Sequence, residues 1–353
     1  MVVDWNGKLI AAGRVPSATN EDTAIWESWD AGATWTRLDT GATTFADSGV
    51  SGIVKTPSGL LAWGRSGEPL CTGQGAWTTC GPFPVMLWTS ADGVAWKRIT
   101  DLAPFKGATI ADITLSPQGL VAVGDTGWTE PAIWVSATGA TWQRLSLSSA
   151  TFKEAHFSSI RVTASEYLLA GGVGNVEPVS GGVAAPDTGT AAVWWSLDGR
   201  TWTKGTVNRA NAIGSSLGSI DGGSAGFVAV GSASSPKTAT AWSSVDGRTW
   251  QPIANRQLYA DVPTPAPGTP RIPSFMMVDD GSHVIALDDQ TVTVWISPDG
   301  LTWRQMPFTG AVDSIPNPGQ LIEGLFSVPD GLIVVGQDAN SSPIEVWHAT
   351  VSS

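Results

Sequence analysis

The sequence predicts an all-β fold in which one four-stranded unit recurs along the chain, and three observations carry that reading. The first is composition: 19 Trp stand beside 2 Tyr and 9 Phe in 353 residues. A general preference for aromatic residues would raise all three, so a repeated Trp motif is the natural cause. The second is that motif. Six segments, Trp26 to Trp35, Trp88 to Trp96, Trp134 to Trp142, Trp194 to Trp202, Trp242 to Trp250 and Trp295 to Trp303, read W-x-S-x-D-G-x-T-W, the first with one extra residue, and Trp347 opens a further copy. The third is an apolar run found seven times, for example from Leu60 to Gly64 (LLAWG) and from Phe227 to Gly231 (FVAVG). Successive closing tryptophans lie 46 to 61 residues apart, the length of a four-stranded propeller blade. The expected fold is therefore a single seven-bladed β-propeller domain over residues 1–353.

Each element of the unit has a local cause. Strands a and b are apolar runs joined by a tight Gly-containing turn, and b usually ends in Gly; a variable b–c loop follows. Strand c carries the first Trp of the motif, and the Ser-x-Asp-Gly turn joins it to strand d, which the second Trp opens. In that turn Ser and Asp accept bonds from nearby backbone N–H groups, Gly supplies the φ > 0 corner, and the indoles bury against the sheets. One carboxylate per turn falls far short of the six to eight oxygens that calcium takes, so no metal is expected. Strands a, b and c occur seven times and d six, which predicts a three-stranded last blade with residues 344–351 outermost.

The segments Ser196 to Trp202 and Ser297 to Trp303 resemble the Asp-box, or bacterial neuraminidase repeat, and Ser28 to Trp35 matches its S-x-D-x-G-x-T-W form in full. The other copies are one residue shorter between Asp and Gly, and Thr138 replaces Asp in the third. The resemblance covers the whole chain and makes Asp30, Asp92, Asp198, Asp246 and Asp299 structural Asp-box residues. It implies a propeller whose boxes lie on the face opposite the ligand entrance, leaving the b–c and d–a loops as the working face. It is shared by sialidases, other glycosidases, sorting receptors and many secreted proteins, so it implies no single function.

Charge removes some function classes. A net charge of −12 without a basic run repels phosphate backbones and anionic headgroups, so nucleic-acid binding and membrane insertion are not expected. No apolar stretch reaches the length of a membrane helix, and the start Met1 to Trp5 has no signal-peptide pattern; an exported protein would have lost its signal. Cys71 and Cys80 bracket a loop with no other zinc ligands, which predicts an intraloop disulfide and an extracellular, periplasmic or cell-surface location.

Two loop tryptophans, Trp77 and Trp128, lie outside the repeat. Each is either a flat platform for a sugar ring or packed under its own loop; Trp5 and Trp63 read as core. For catalysis, Arg271-Ile272-Pro273 resembles the end of the sialidase F/Y-R-I-P motif, but Thr269-Pro270 replaces its aromatic context and the tripeptide precedes the sixth repeat copy instead of the first Asp-box. Tyr259, Asp261, Asp112 and Glu323 complete the set of weak catalytic candidates. Asp112 and Glu323 fall one residue out of phase on their inner strands, and His156 reads as a surface residue. The function expected is a secreted or cell-surface binding propeller with glycan as favoured ligand, or an extracellular protein as partner, monomeric and without cofactor. The alternative is a glycoside-cleaving enzyme of the Asp-box kind.

Overall fold

A computed structural model describes residues 1–16, 21–41, 43–68, 71–72, 79–127, 129–174, 189–208, 215–223, 226–234, 237–253, 275–279, 283–288, 293–298, 302–306, 321–328, 331–337 and 345–349. They fall into two compact units, Met1–Phe152 and Lys153–Ser353. Among them there is no α-helix, and a 3-10 turn at Ala103–Phe105 precedes the third sheet.

The first unit holds three sheets. Sheet I is β1 (Val2–Trp5), β2 (Lys8–Pro16), β3 (Glu21–Ser28) and β4 (Thr36–Arg37). Sheet II is β5 (Ser48–Thr56), β6 (Gly59–Ser66), β9 (Val85–Ser90) and β10 (Trp96–Arg98), with a separate ribbon of β7 (Cys71–Thr72) and β8 (Thr79–Cys80) in its b–c loop. Sheet III is β11 (Ala108–Ser116), β12 (Gly119–Thr126), β13 (Glu130–Ser136) and β14 (Gln143–Arg144).

The second unit holds four. Sheet IV is β15 (Ala155–Val162), β16 (Tyr167–Val173), β17 (Thr190–Ser196) and β18 (Thr203–Lys204). Sheet V is β20 (Ser215–Gly223), β21 (Gly226–Ser234), β22 (Lys237–Ser244) and β23 (Thr249–Pro252), with β19 (Thr206–Val207) added at its edge. Sheet VI is β24 (Phe275–Asp279), β25 (Val284–Asp288), β26 (Thr293–Ser297) and β27 (Arg304–Met306), and sheet VII is β28 (Leu321–Val328), β29 (Gly331–Gln337) and β30 (Glu345–Ala349). The four-strand unit is thus complete six times, not seven. The seventh sheet has three strands, with β30 outermost, and no fourth strand for it lies among the described residues.

Burial explains the continuous apolar runs. Leu60 and Ala62 of β6 pack with Ile10, Ile25 and Trp88 toward sheet I, while Leu61 and Trp63 pack with Trp134 and Trp142 of sheet III. Period-2 alternation thus gives the two faces of one strand to two neighbours, and both must be apolar. In the second unit Leu168 and Ala170 of β16 meet Phe227, Trp242 and Trp250 of sheet V in the same way.

The Gly that closes strand b has a cause the sequence does not state. Strands β5, β11, β15, β20 and β28 each carry a bulge, at Ser51, Ala111, Ser158, Gly218 and Glu323. In every case the residue just before the bulge pairs with that Gly: Val50 with Gly64, Ile110 with Gly124, Phe157 with Gly171, Leu217 with Gly231 and Ile322 with Gly336. A Cβ on Gly64, Gly124, Gly171 or Gly231 would run into a carbonyl oxygen of the inner strand, that of Gly49, Thr109, His156 or Ser216. Gly is therefore what lets strand a bulge at the loop end.

Strand β19 was not expected. It pairs in parallel with β23, Thr206 opposite Thr249 and Val207 opposite Trp250. The other outer strands carry a basic residue next to the closing Trp or one further on, as Arg37, Arg98, Arg144, Lys204 and Arg304 do, whereas sheet V has Gln251 and Pro252 there. Lysine and arginine protect exposed edges from pairing. Among the described fourth strands, the one edge without them is covered by chain.

Candidate functional site

The antiparallel order sets two ends. The a–b turns and the Asp-box turns lie together at one, and the b–c and d–a loops at the other. The boxes are closed hydrogen-bond systems. In the first, the Ser28 hydroxyl donates to Asp30 Oδ1 at 2.8 Å, Gly32 N–H donates to Ser28 Oγ at 2.8 Å, and Thr34 donates its N–H to Oδ1 at 2.8 Å and its hydroxyl to Oδ2 at 2.6 Å. The Trp35 indole N–H closes the turn on the Gly32 carbonyl at 2.9 Å. The boxes at Asp92, Asp198 and Asp246 repeat this pattern; Asp299 lies outside the described residues.

Donors aimed at a carboxylate favour its charged form. The Thr34 hydroxyl first, then the Thr34 and Ser28 bonds, hold Asp30 down at about 2. The Thr201 N–H does most of the same for Asp198, also about 2. Asp92 and Asp246 are lowered chiefly by the N–H groups of Ala95 and Thr249. Because the folded pKa of Asp30 and Asp198 lies below the ordinary 3.8, these two boxes stabilise the fold at neutral pH and lose that contribution as pH falls from about 4 toward 2.

The third box tests this. Thr138 offers its hydroxyl only to Ala140 N–H, at 3.3 Å, although Ser136 and Trp142 keep their bonds. Thr138→Asp is expected to stabilise the protein by about 1 kcal/mol in urea melts at neutral pH, and to lose the gain at about pH 2. An equal effect at both pH values would show that the carboxylate bonds are not its source.

The opposite end is held by aromatic residues. Phe45 packs on Trp88 at 4.9 Å and Trp96 at 5.8 Å, and Phe105 on Trp134 at 5.1 Å and Trp142 at 5.5 Å. The Trp88 and Trp134 indoles donate to the Thr44 and Pro104 carbonyls, both at 2.8 Å. These two d–a loops are thereby tied to the next sheet. Above Phe45 lies an open cleft of about 530 Å3, lined by Asp22, Thr23 and Ala24 of β3, Arg37 of β4, and Leu38 to Gly41 of the d–a loop. Its carboxylates are set by backbone donors: Asp47 N–H reaches Asp22 at 2.9 Å and Gly41 N–H reaches Asp39 at 3.0 Å. Carboxylates, a guanidinium and the Thr40 hydroxyl around an apolar wall suit a polyhydroxylated ligand. None of these cleft residues stood out in the sequence, because a strand start, an outer strand and a loop supply them separately.

The residues the sequence did single out are described only in part. Trp77, Trp128, Arg271, Tyr259 and Asp261 lie outside the described residues. Asp112 is a half-buried ladder residue opposite Val123, whereas Glu323 is the bulged residue of β28, so the two differ in phase as expected. His156 is half-buried, against the surface position expected, with Gly172 beneath its ring. The Arg161 guanidinium bonds the Gly222 carbonyl at 3.0 Å and Asp221 at 3.1 Å, binding β15 to β20. Cys71 pairs directly with Cys80 across the ribbon, and no described cysteine is free. No group of three metal-ligating side chains occurs among the described residues.

No family model matches the chain, and no curated protein does. Solved structures do. A candidate 6-phosphogluconolactonase from Bacteroides uniformis is 11% identical with a TM-score of 0.55, covering 97% of this chain and 91% of that one. The periplasmic gluconolactonase of Pseudomonas aeruginosa is 12% identical with a TM-score of 0.51, covering 97% and 95%. The β-propeller domain of the Trilobed protease from Pyrococcus furiosus is 10% identical with a TM-score of 0.50, covering 98% and 91%. The chain spans 44% of the length of a prolyl endopeptidase that it also matches. At these identities the likeness concerns the fold, which is a β-propeller.

Proposed function

We propose that the protein is a seven-bladed propeller that binds carbohydrate at its loop end without cleaving it, outside the cytoplasm. The observation that carries this reading is the cleft of sheet I, where Asp22, Arg37 and Asp39 offer acceptors and donors over a wall of Leu38 and Phe45. Seven copies of one sheet unit among the described residues, the last with three strands there, support seven blades. A Cys71–Cys80 disulfide, supported by their cross-strand pairing, fits an oxidising compartment; unreduced protein should then take up no thiol reagent. Trp77 and Trp128 are proposed as stacking platforms on the same end.

A glycan array followed by calorimetry on the best hit tests the reading. Arg37→Gln and Asp39→Asn are each expected to weaken binding about tenfold, about 1.4 kcal/mol, with unchanged melting. Trp77→Ala and Trp128→Ala should weaken it by about 0.5–1.5 kcal/mol. Absence of any glycan hit sinks the proposal, and turnover of a fluorogenic glycoside would move the protein to the hydrolase class.

A further inference from the structure

The start of strand c is where sheet I departs from its neighbours. Just before the residue that pairs with the closing Gly of strand b, strand c carries Val85 in sheet II, Pro131 in sheet III and Ala191 in sheet IV, opposite Arg65, Asp125 and Gly172. Sheet I has Thr23 at this place, opposite Arg14, with Asp22 before it. The fold is thus built three times without a hydroxyl here, so the polar pair Asp22-Thr23 answers to something other than the strand.

Both side chains are bonded to the segment that opens sheet II. Thr23 Oγ1 donates to the Ser48 carbonyl at 2.8 Å and accepts the Val50 N–H at 3.1 Å, and the Ser48 hydroxyl donates to the Phe45 carbonyl at 2.7 Å. Thr23, Phe45 and Ser48 are buried, where an unmet bond would be costly. Asp47 N–H holds Asp22 Oδ1 at 2.9 Å, and the Asp47 carbonyl accepts the Gly67 N–H at 2.6 Å. Asp47 is itself exposed and lines no part of the cleft. Its φ is 49°, the left-handed region, which Asp enters more readily than most residues. One residue thereby joins a cleft carboxylate to the base of the loop that carries β7 and β8. Among the described residues only Oδ1 of Asp22 is bonded, which leaves Oδ2 for a ligand hydroxyl.

We propose that Asp47 is the positioning residue of the cleft: through its peptide, sheet II sets the carboxylate of Asp22, and the binding site belongs to two sheets and not to sheet I alone. This rests on the carbohydrate reading of the cleft.

Calorimetry on the full chain, with the best-binding oligosaccharide of a glycan array as probe, tests it. Asp47→Val, strained at this φ, should weaken binding about fivefold, the worth of one positioned hydrogen bond. Asp47→Gly keeps both the φ and the N–H and should stay within about twofold of wild type. Glu154 supplies the structural control. It opens β15 with φ 54° and its carbonyl likewise takes the Gly174 N–H, at 3.0 Å, but sheet IV lines no part of the cleft. Glu154→Val should therefore lower the melting midpoint much as Asp47→Val does and leave the affinity unchanged. Amide exchange adds a readout that needs no ligand: in Asp22→Ala the Asp47 N–H should exchange at least about tenfold faster. Equal affinity of Asp47→Val and wild type, loss of binding in Asp47→Gly, equal weakening by Glu154→Val, or an unchanged exchange rate at Asp47 overturns this proposal alone. Absence of any glycan hit overturns the carbohydrate reading and this role with it.

Discussion

Trp134→Ala is expected to destabilise the protein by about 3–5 kcal/mol, among the largest effects a single truncation here can have. The side chain is fully buried, donates to the Pro104 carbonyl at 2.8 Å and stacks on Phe105. It also lies in the cluster that joins Leu61 and Leu87 of sheet II to sheet III. Truncation would open a cavity between two sheets, orphan a carbonyl in the loop, and free Phe105. Trp134→Phe keeps most of the volume and loses the N–H, so it should cost roughly 1–2 kcal/mol. Trp29→Ala, at an exposed position, should lie within about 0.5 kcal/mol of wild type. Denaturant melts of the three variants would read this ordering directly. Similar losses for Trp29→Ala and Trp134→Ala would mean that the indoles do not divide into sheet-joining and surface classes.

That division was half legible in the sequence. Spacing of the paired tryptophans fixes the c and d strands, and the box turn between them follows from the chemistry of Ser, Asp and Gly. The Phe residues that cap the pairs were missed, although Phe45 and Phe105 follow a closing Trp by ten and nine residues. Such a signal is weak, since the second unit does not continue it, and only packing gives it meaning. The fifth strand β19 had no periodicity to announce it, being two residues long. The cleft was invisible for a different reason. Asp22, Arg37 and Asp39 are ordinary surface residues in sequence, and their convergence depends on how the outer strand and the d–a loop fold back over Phe45.

Gly231→Ala should cost about 1–3 kcal/mol, whereas Gly218→Ala, at the opposing bulge, should stay within about 0.5 kcal/mol of wild type. Neither glycine has a positive φ, so the contrast is steric and not conformational. A Cβ on Gly231 would strike the Ser216 carbonyl, which the bulge turns toward strand β21. Relief requires either the inner strand to move or the bulge to be lost, and losing it shifts the register of Ser215 to Leu217 by one residue. That slip would send Leu217, which is fully buried, to the other face of β20. A Cβ on Gly218 meets nothing nearer than the Val230 oxygen at 3.9 Å, and Ser51, Ala111 and Ser158 already occupy the equivalent place. Amide hydrogen exchange gives a second readout. In Gly231→Ala, protection should fall first in 215–217, at the loop end, and persist at the Asp-box turn of sheet V. Equal stability of the two variants would show that the recurrent Gly of strand b reflects something other than the bulge, and the placement of the inner strands at the loop end would need another cause.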